Sequence, residues 1–230
     1  MVLQGLQKLT LLDYPGKVAC TVFTAGCNFR CPFCHNASLV VDTYKNEEIP
    51  QEEFFSFLGK RKGILDGVCV TGGEPLIQQG IEEFLRKIKA LGFLIKLDTN
   101  GSFPDKLKRL VKDEIVDYVA MDIKNSRESY GKTVGIQSYD VSDIEKSVQY
   151  LLEGHVPYEF RTTVVREFHQ RADFESIGKW IKGAQHYYLQ QFVDSGDLIE
   201  TGLHGYSRDI MSQALEIVKE NVETAELRGI

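Results

Sequence analysis

The feature that most limits the fold of this chain is a regular alternation between two kinds of segment. Short apolar runs rich in β-branched and aromatic residues are separated by stretches with helical periodicity, which is the pattern of strands and helices that alternate around a parallel sheet. The predicted strands are residues 17–24, 67–71, 93–98, 117–122, 157–164 and 186–192. Strands in this alternation predict an α/β fold of the partial (β/α)6 barrel type, with a curved parallel sheet and outer helices.

The helical stretches supply the predicted outer layer. One helix is expected to begin near Ser142, where Glu145 completes a capping box, and to end at Gly154. The other predicted helices cover residues 51–58, 81–91, 104–111, 172–182 and 207–220. The least regular stretches, residues 36–49, 125–139 and 193–206, mostly follow strand ends, where α/β barrels place their working loops.

Length and composition favour one domain over residues 1–230. There is no repeat and no linker rich in Pro, Gly or Ser. The net charge of -6 argues against nucleic acid as a partner, because the chain has no general field that attracts phosphate backbones. No charged start precedes an apolar stretch, and no apolar run approaches the roughly 20 residues of a membrane span. We therefore expect a cytoplasmic protein without a membrane partner.

Three of the five cysteines lie within one short segment directly after the first predicted strand. Cys27, Cys31 and Cys34 form the pattern C-x-x-x-C-x-x-C, which suits an iron-sulfur cluster because one loop can wrap three of its corners. Three ligands leave one iron open to a substrate, as in catalytic metal sites. A structural zinc site is the alternative, but it needs four ligands, and His35 is awkwardly placed as the fourth. Cys20 and Cys69 are interpreted as small buried residues.

Polar groups follow the later strands. Gly72 and Gly73, followed by Glu74 and Pro75, form a turn in which backbone can approach a ligand closely, or an ordinary strand-to-helix turn. The next polar groups are those of Asp98, Asp122, Lys124 and Arg161. These charges lie where barrel enzymes keep catalytic groups. The alternatives are that Asp98 and Asp122 cap helices or pair with Lys124, and that Arg161 forms a surface ion pair. Alternation along the fifth strand directs Arg161 toward the same rim, where it could bind a carboxylate.

These motifs together resemble those of the radical S-adenosylmethionine (SAM) superfamily. The resemblance implies a [4Fe-4S] cluster on Cys27, Cys31 and Cys34, with SAM on its fourth iron. It implies that Phe33 lies near the adenine, with loop packing as the alternative, and that the G-G-E-P turn binds the methionyl amino group. The segments D-T-N-G from Asp98 and D-x-K from Asp122 resemble those of glycyl-radical-enzyme activating enzymes. There both aspartates and the lysine, here Lys124, help to hold SAM, and a monovalent cation can lie near the aspartates.

Within that group the chain is most similar to the activating proteins of anaerobic ribonucleotide reductase. The similarity is detailed in residues 5–8, 12–17 and 23–36, extends to Lys124, and is loose beyond Asn125. Other activating enzymes tend to carry D-G-P-G-x-R before the cluster, whereas Tyr14 replaces the first glycine here and Val18 stands in place of the arginine. This departure favours the reductase branch.

The resemblance also implies a reaction. Reductive cleavage of SAM gives a 5'-deoxyadenosyl radical, which takes hydrogen from a glycine of a partner enzyme. The expected partner is anaerobic ribonucleotide reductase, and the scheme needs no side-chain base. A flavodoxin or ferredoxin would supply the electron. Two alternatives stay open: a radical SAM enzyme that acts on a small molecule or on another glycyl radical enzyme, and a non-catalytic iron-sulfur electron carrier.

Overall fold

The computed structural model describes residues 1–230, and its centre is one open eight-stranded sheet whose strands follow each other in sequence order. Strand β1 is antiparallel to β2, and every later neighbouring pair is parallel. The strands are β1 Leu3–Thr10, β2 Ala19–Thr24, β3 Gly67–Gly72, β4 Leu94–Thr99, β5 Tyr118–Asp122, β6 Tyr158–Val164, β7 His186–Gln191 and β8 Thr224–Arg228. All six predicted strands are confirmed, as is the α/β class.

The sheet has two strands that the sequence pattern did not reveal, and it does not close into a barrel. Strand β1 is interrupted by irregular pairing with β2 after Leu3 and after Gln7, and three consecutive residues, Gln7 to Leu9, are exposed. Strand β8 has only five residues, of which Ala225 alone is buried. Neither strand therefore has the apolar run that identified the others.

Eight helices accompany the strands. They are α1 Ala37–Val40, α2 Gln51–Gly59, α3 Ile81–Ala90, α4 Pro104–Lys112, α5 Tyr130–Thr133, α6 Ser142–Leu152, α7 Arg171–Trp180 and α8 Arg208–Lys219. No helix is both long enough and apolar enough to cross a membrane. Their buried apolar side chains join those of the strands in one hydrophobic cluster, for example Phe84 of α3 with Val70 and Leu97, because each helix presents one apolar stripe to the sheet.

One helix start differs from the prediction. Helix α6 begins at Ser142 itself, which makes Val141 the N-cap, and no capping box forms. Asp140 instead accepts hydrogen bonds from the backbone N–H and the hydroxyl of Ser142, at 3.0 Å each. A capping box does occur in α7, between Gln170 and Asp173.

The two ends of the sheet have different connections. The turns that lead from α2, α3, α4, α6, α7 and α8 into the next strand lie at the amino ends of the strands, whereas the irregular segments lie at the carboxyl ends. Of these, residues 36–49 contain α1 and residues 125–139 contain α5, while residues 193–206 contain neither helix nor strand. The predicted working loops thus share one rim.

Candidate functional site

A cleft with a volume of about 210 Å³ opens at the carboxyl ends of the strands. Ten of the eleven predicted site residues line it: Cys27, Phe33, Cys31, Cys34, Gly72, Gly73, Asp98, Asp122, Lys124 and Arg161. Glu74 does not. Residues from β3 to β7 and the loop after β2 therefore meet at one place, as expected for a parallel sheet.

The three cysteines lie on the single loop between β2 and α1, residues 25–36, which is called here the cysteine loop. The backbone N–H of Phe29 donates to Cys27 Sγ at 3.3 Å, and the side-chain amide of Asn100 approaches the same sulfur at 3.8 Å. The N–H of Cys34 donates to the carbonyl of Cys31 at 3.0 Å, which closes a turn between these two residues. Hydrogen bonds to the sulfur atoms are one of the means by which proteins set the potential of an iron-sulfur cluster.

Burial governs the protonation of these thiols. It raises the pKa of Cys27 to about 11 and that of Cys31 to about 12, and it also raises the pKa of Cys34. The positive charge of Lys124 acts in the opposite direction on all three. The free thiols are therefore protonated near neutral pH, and binding of a metal centre would release their protons.

The donor set fits a three-cysteine cluster better than a single ion. All five cysteines are free, and no three His, Cys, Asp or Glu side chains converge as they would around one metal ion. In a cubane each thiolate binds its own iron, so the sulfurs lie around the cluster rather than around a point. Cys20 and Cys69 are buried in β2 and β3, as predicted.

The turn at the end of β3, residues 72–75, is called here the β3 turn. Its two glycines are needed because the backbone packs closely there. A Cβ on Gly73 would lie 1.9 Å from the carbonyl oxygen of Gly26, and one on Gly72 would lie 2.4 Å from the backbone N and O of Thr24. The side-chain amide of Asn36 also donates to the carbonyl of Gly72 at 3.1 Å. This turn therefore packs directly against the cysteine loop while it lines the cleft.

The side chain of Glu74 points into the protein instead of the cleft and is fully buried. Its carboxylate accepts from the N–H groups of Leu76 at 3.0 Å and Asn100 at 2.7 Å, and from the hydroxyl of Thr99 at 2.9 Å. It thereby joins the β3 turn to the end of β4. Any contact of this residue with a cofactor would involve its backbone.

The charged residues form a continuous network across the floor of the cleft. Arg161 donates to Asp122 at 3.0 Å and to Asp98 at 3.1 Å, so its guanidinium bridges the two carboxylates. Lys124 pairs with Asp122 at 2.9 Å, and Lys96 pairs with Asp98. Of the two predicted roles, internal ion pairing is therefore realised for all four predicted charges, yet each also lines the cleft.

The network keeps Asp98, Asp122 and Lys124 ionised. Burial alone would raise the pKa of Asp98 and Asp122, but Arg161 and the two lysines outweigh it, so the pKa of each carboxyl lies below its ordinary value. Burial would lower the pKa of Lys124, but Asp122 raises it above its ordinary value. Lys124 and Arg161 are the cationic members of the network that line the cleft, and each could pair with a ligand carboxylate.

The predicted loop packing of Phe33 is observed, while its contact with an adenine stays a prediction. It lines the cleft, and its ring also packs against Phe168 and His169, with ring centroids 5.6 Å and 6.4 Å apart. The ring is only 4% exposed, so an adenine would have to share it with these neighbours.

Two important residues were missed from the sequence. Lys96 is 1% exposed although it carries a charge, and its position inside an apolar strand was the signal for its role. His169 is fully buried and its Nε2 donates to the carbonyl of Lys124 at 2.9 Å, which holds the D-x-K segment in place. No sequence pattern marked His169, because its partner lies 45 residues away.

Comparison with protein families shows what this chain is similar to. The model of the radical SAM superfamily matches residues 21–181. A protein of Methanocaldococcus jannaschii named as a glycyl-radical enzyme activating enzyme is 32% identical over 199 residues, which cover 83% of this chain and 80% of that protein. The pyruvate formate-lyase-activating enzyme of Listeria monocytogenes is 35% identical over 135 residues, which cover 52% of each chain.

Solved structures with low sequence identity share the fold. Streptococcus suis SuiB bound to S-adenosylmethionine has a TM-score of 0.69 at 14% identity, with 90% of this chain and 49% of SuiB covered. A domain of the pyruvate-formate lyase-activating enzyme from Bacteroides vulgatus has a TM-score of 0.58 at 15% identity, with 71% of this chain and 99% of that domain covered.

Proposed function

The chain belongs to the radical SAM superfamily and, within it, to the glycyl-radical enzyme activating enzymes, and on this premise we propose that it generates a glycyl radical on anaerobic ribonucleotide reductase. Membership of the superfamily implies a [4Fe-4S] cluster and SAM as cofactors. One observation carries the proposal: the three thiols of the cysteine loop and the charged network line the same cleft.

The chemistry of the proposal is that of the cofactors, which together supply a 5'-deoxyadenosyl radical able to remove hydrogen from a glycine. The protein's own residues bind and orient. Cys27, Cys31 and Cys34 would each hold one iron and leave the fourth for SAM. The β3 turn would offer backbone groups to the methionyl amino group, and Phe33 would pack beside the adenine.

The charged network would hold the polar part of SAM. Lys124 and Arg161 line the cleft and carry the positive charge that suits a carboxylate, while Asp98 and Asp122 keep acceptor capacity for hydroxyl or ammonium groups. Four ion pairs with Lys96, Arg161 and Lys124 already balance these two carboxylates. The proposal therefore includes no monovalent cation.

A protein partner is supported by the shape of the site. The sheet is open and the cleft is accessible at the strand ends, so a peptide loop can complete it. A protein with the same fold, SuiB, has been solved with a precursor peptide bound. The choice of ribonucleotide reductase depends on the similarity of residues 5–8, 12–17 and 23–36, and a flavodoxin or ferredoxin is proposed as the electron donor.

The first test is cofactor cleavage. The protein would be reconstituted with iron and sulfide without oxygen, reduced with dithionite and mixed with SAM. We expect 5'-deoxyadenosine and methionine in equal amounts, with none from a Cys31→Ala control. An intact cluster that cleaves no SAM would overturn the proposal in favour of an electron carrier.

The second test identifies the partner. The loaded protein would be mixed separately with anaerobic ribonucleotide reductase and with pyruvate formate-lyase, and each mixture examined by electron paramagnetic resonance. We expect the doublet of a glycyl radical with the reductase. A doublet only with the lyase would make another glycyl radical enzyme the partner, and cleavage without any doublet would point to a small-molecule substrate.

A further inference from the structure

The segment of residues 193–206, which joins β7 to α8, lies across the cysteine loop and is called here the crossing segment. Its Glu200 backbone N–H donates to the carbonyl of Pro32 at 2.9 Å, between the second and third cysteines. Its Val193 carbonyl accepts from Nε2 of His35 at 2.9 Å, next to Cys34. The crossing segment thus contacts the loop on both sides of Cys34.

The strongest contact joins Asp197 to Ser38. The backbone N–H of Ser38 approaches the two carboxylate oxygens of Asp197 at 3.1 and 3.3 Å, and the Ser38 hydroxyl donates to Oδ2 at 2.8 Å. These residues are 159 positions apart in the sequence. Hydrogen bonds to an ionised acceptor are stronger than those between neutral groups, so this contact is well suited to hold the crossing segment to α1, which directly follows the cysteine loop.

A local turn presents Asp197 to the cysteine loop. The N–H of Gly196 donates to Asp194 at 2.8 Å, and the N–H of Asp197 itself donates to the hydroxyl of Ser195 at 3.3 Å. Gly196 has φ of 78°, a left-handed conformation that glycine adopts readily. The conformation of the turn thus depends on its own residues rather than on the cysteines.

The hydrogen bonds with Ser38, four residues after Cys34, hold the carboxylate of Asp197 close to the cysteine loop. A fixed negative charge beside a cluster ligand disfavours addition of an electron to the cluster, because net local charge is one determinant of cluster potential.

From these contacts we propose that Asp197 is a positioning residue, which holds the cysteine loop around the cluster and lowers the reduction potential of that cluster. The inference rests on the proposed function, since it requires the cluster. On the other side of the loop, Gly73 and Asn36 connect it to the β3 turn. The crossing segment contacts the cysteine loop from the side opposite the β3 turn. Asp197 is the residue of the crossing segment whose side chain makes the hydrogen bonds with Ser38.

Two substitutions separate the charge from the hydrogen bonds. Asp197→Asn removes the negative charge but keeps a carbonyl oxygen for the N–H of Ser38, whereas Asp197→Ala removes both. Glu200→Ala is the matched control, because the exposed side chain of Glu200 lies in the same segment and only its backbone contacts the loop.

The experiment uses the reconstituted protein without oxygen and has two readouts. A redox titration, followed by the electron paramagnetic resonance signal of the reduced cluster, should show a higher potential for both Asp197 variants than for Glu200→Ala. The rate of iron loss to a chelator should rise about fivefold or more in Asp197→Ala, as expected for loss of hydrogen bonds worth about 1 kcal/mol or more. Asp197→Asn should lose iron at close to the wild-type rate.

The possible failures are distinguishable. Asp197 variants with the potential and iron-loss rate of Glu200→Ala would overturn this inference and leave the proposed function intact. A wild-type protein that holds no four-iron cluster would overturn both. Thermal unfolding of each variant shows whether it is folded. If Asp197→Ala does not fold, the reduction potential of the cluster in Asp197→Asn decides the test.

Discussion

At the scale of single residues, the floor of the cleft depends on how its charges are paired. Arg161 is 15% exposed and is the only side chain that contacts both Asp98 and Asp122. Removal of one partner from a buried ion pair is costly, because the remaining charge keeps its desolvation penalty without compensation.

We therefore expect Arg161→Gln to lower the free energy of unfolding by about 3 kcal/mol and to weaken SAM binding. Urea unfolding and equilibrium binding of SAM measure the two effects. Lys89→Gln is the control, because the pair of Lys89 with Asp117 is more exposed and should contribute no more than about 1 kcal/mol. Equal losses in the two variants would contradict this account of the network.

The cysteines provide a second prediction at this scale. Cys27→Ala, Cys31→Ala and Cys34→Ala should each abolish cluster binding and SAM cleavage. Cys20→Ala and Cys69→Ala should keep both and cost on the order of 1 kcal/mol of stability, because they remove one buried sulfur each. The iron content and the visible absorbance of the iron-sulfur cluster measure the outcome. A wild-type iron content in any of the first three variants would refute the ligand assignment.

The residue types of the site were predictable only where the signal is local. The spacing of the three cysteines identified a metal site, and the strand ends identified Asp98 and Asp122. Pairing with Lys124 was among the predictions, but the bridge that Arg161 makes between the two carboxylates depends on which strands are neighbours. Glu74 illustrates this: its motif was recognised, but its hydrogen bonds with Thr99 and Asn100 exist only because β4 lies beside β3.

At the scale of secondary-structure elements, the closest approach in the site is between two loops. The β3 turn and the cysteine loop come together at Gly73 and Gly26, where no side chain can be accommodated.

Gly73→Ala should therefore force the two loops apart. We expect a loss of about 3 kcal/mol in the free energy of unfolding, as for overpacking of a dense site, together with reduced iron content after reconstitution. Gly59→Ala is the matched control, because Gly59 lies in α2 with no atom within 4 Å of an added Cβ. Alanine should stabilise that helix by about 0.5–1 kcal/mol. If both variants bind iron normally and are equally stable, close packing at Gly73 is not needed.

The helices and strands with a clear apolar pattern were predicted from the sequence, and those without one were missed. Strands β2 and β3 are apolar and buried almost throughout, as expected for a covered parallel sheet, whereas apolar and polar residues alternate along β6. The edge strands lack an apolar run: Lys8 in β1 and Glu226 in β8 are exposed to solvent. Helix α6 was found, but its capping residue was not, because Asp140 and Ser142 both suit a helix start.

At the scale of the whole molecule, one buried carboxyl couples folding to pH. Burial raises the pKa of Glu74 to about 7 from an ordinary value of 4.5. Between these values the folded chain binds more protons than the unfolded chain, so the free energy of unfolding decreases as pH rises. The contribution is complete below about pH 4.5 and is lost as pH rises through 7.

We expect wild-type protein to lose stability between pH 6 and pH 8 relative to Glu74→Gln, which has no proton to exchange at this position. Urea unfolding at several pH values, with matched iron content, measures the difference. The quantity compared is the slope of the free energy of unfolding against pH. Its absolute value is not compared, because the glutamine side chain also alters the hydrogen bonds of the β3 turn. Parallel slopes for the two proteins would show that Glu74 is already ionised throughout this range.

The separation of the two ends of the sheet has a practical consequence. The six helix-to-strand turns lie at the end remote from the cleft, and Lys62 and Lys182 within two of them are exposed. A fluorophore or a surface tether attached to a cysteine substituted at either position would leave the mouth of the cleft facing outward. Immobilised in this orientation, the protein would keep its cleft accessible, so binding of a candidate partner could be followed without disturbing the residues that line the cleft.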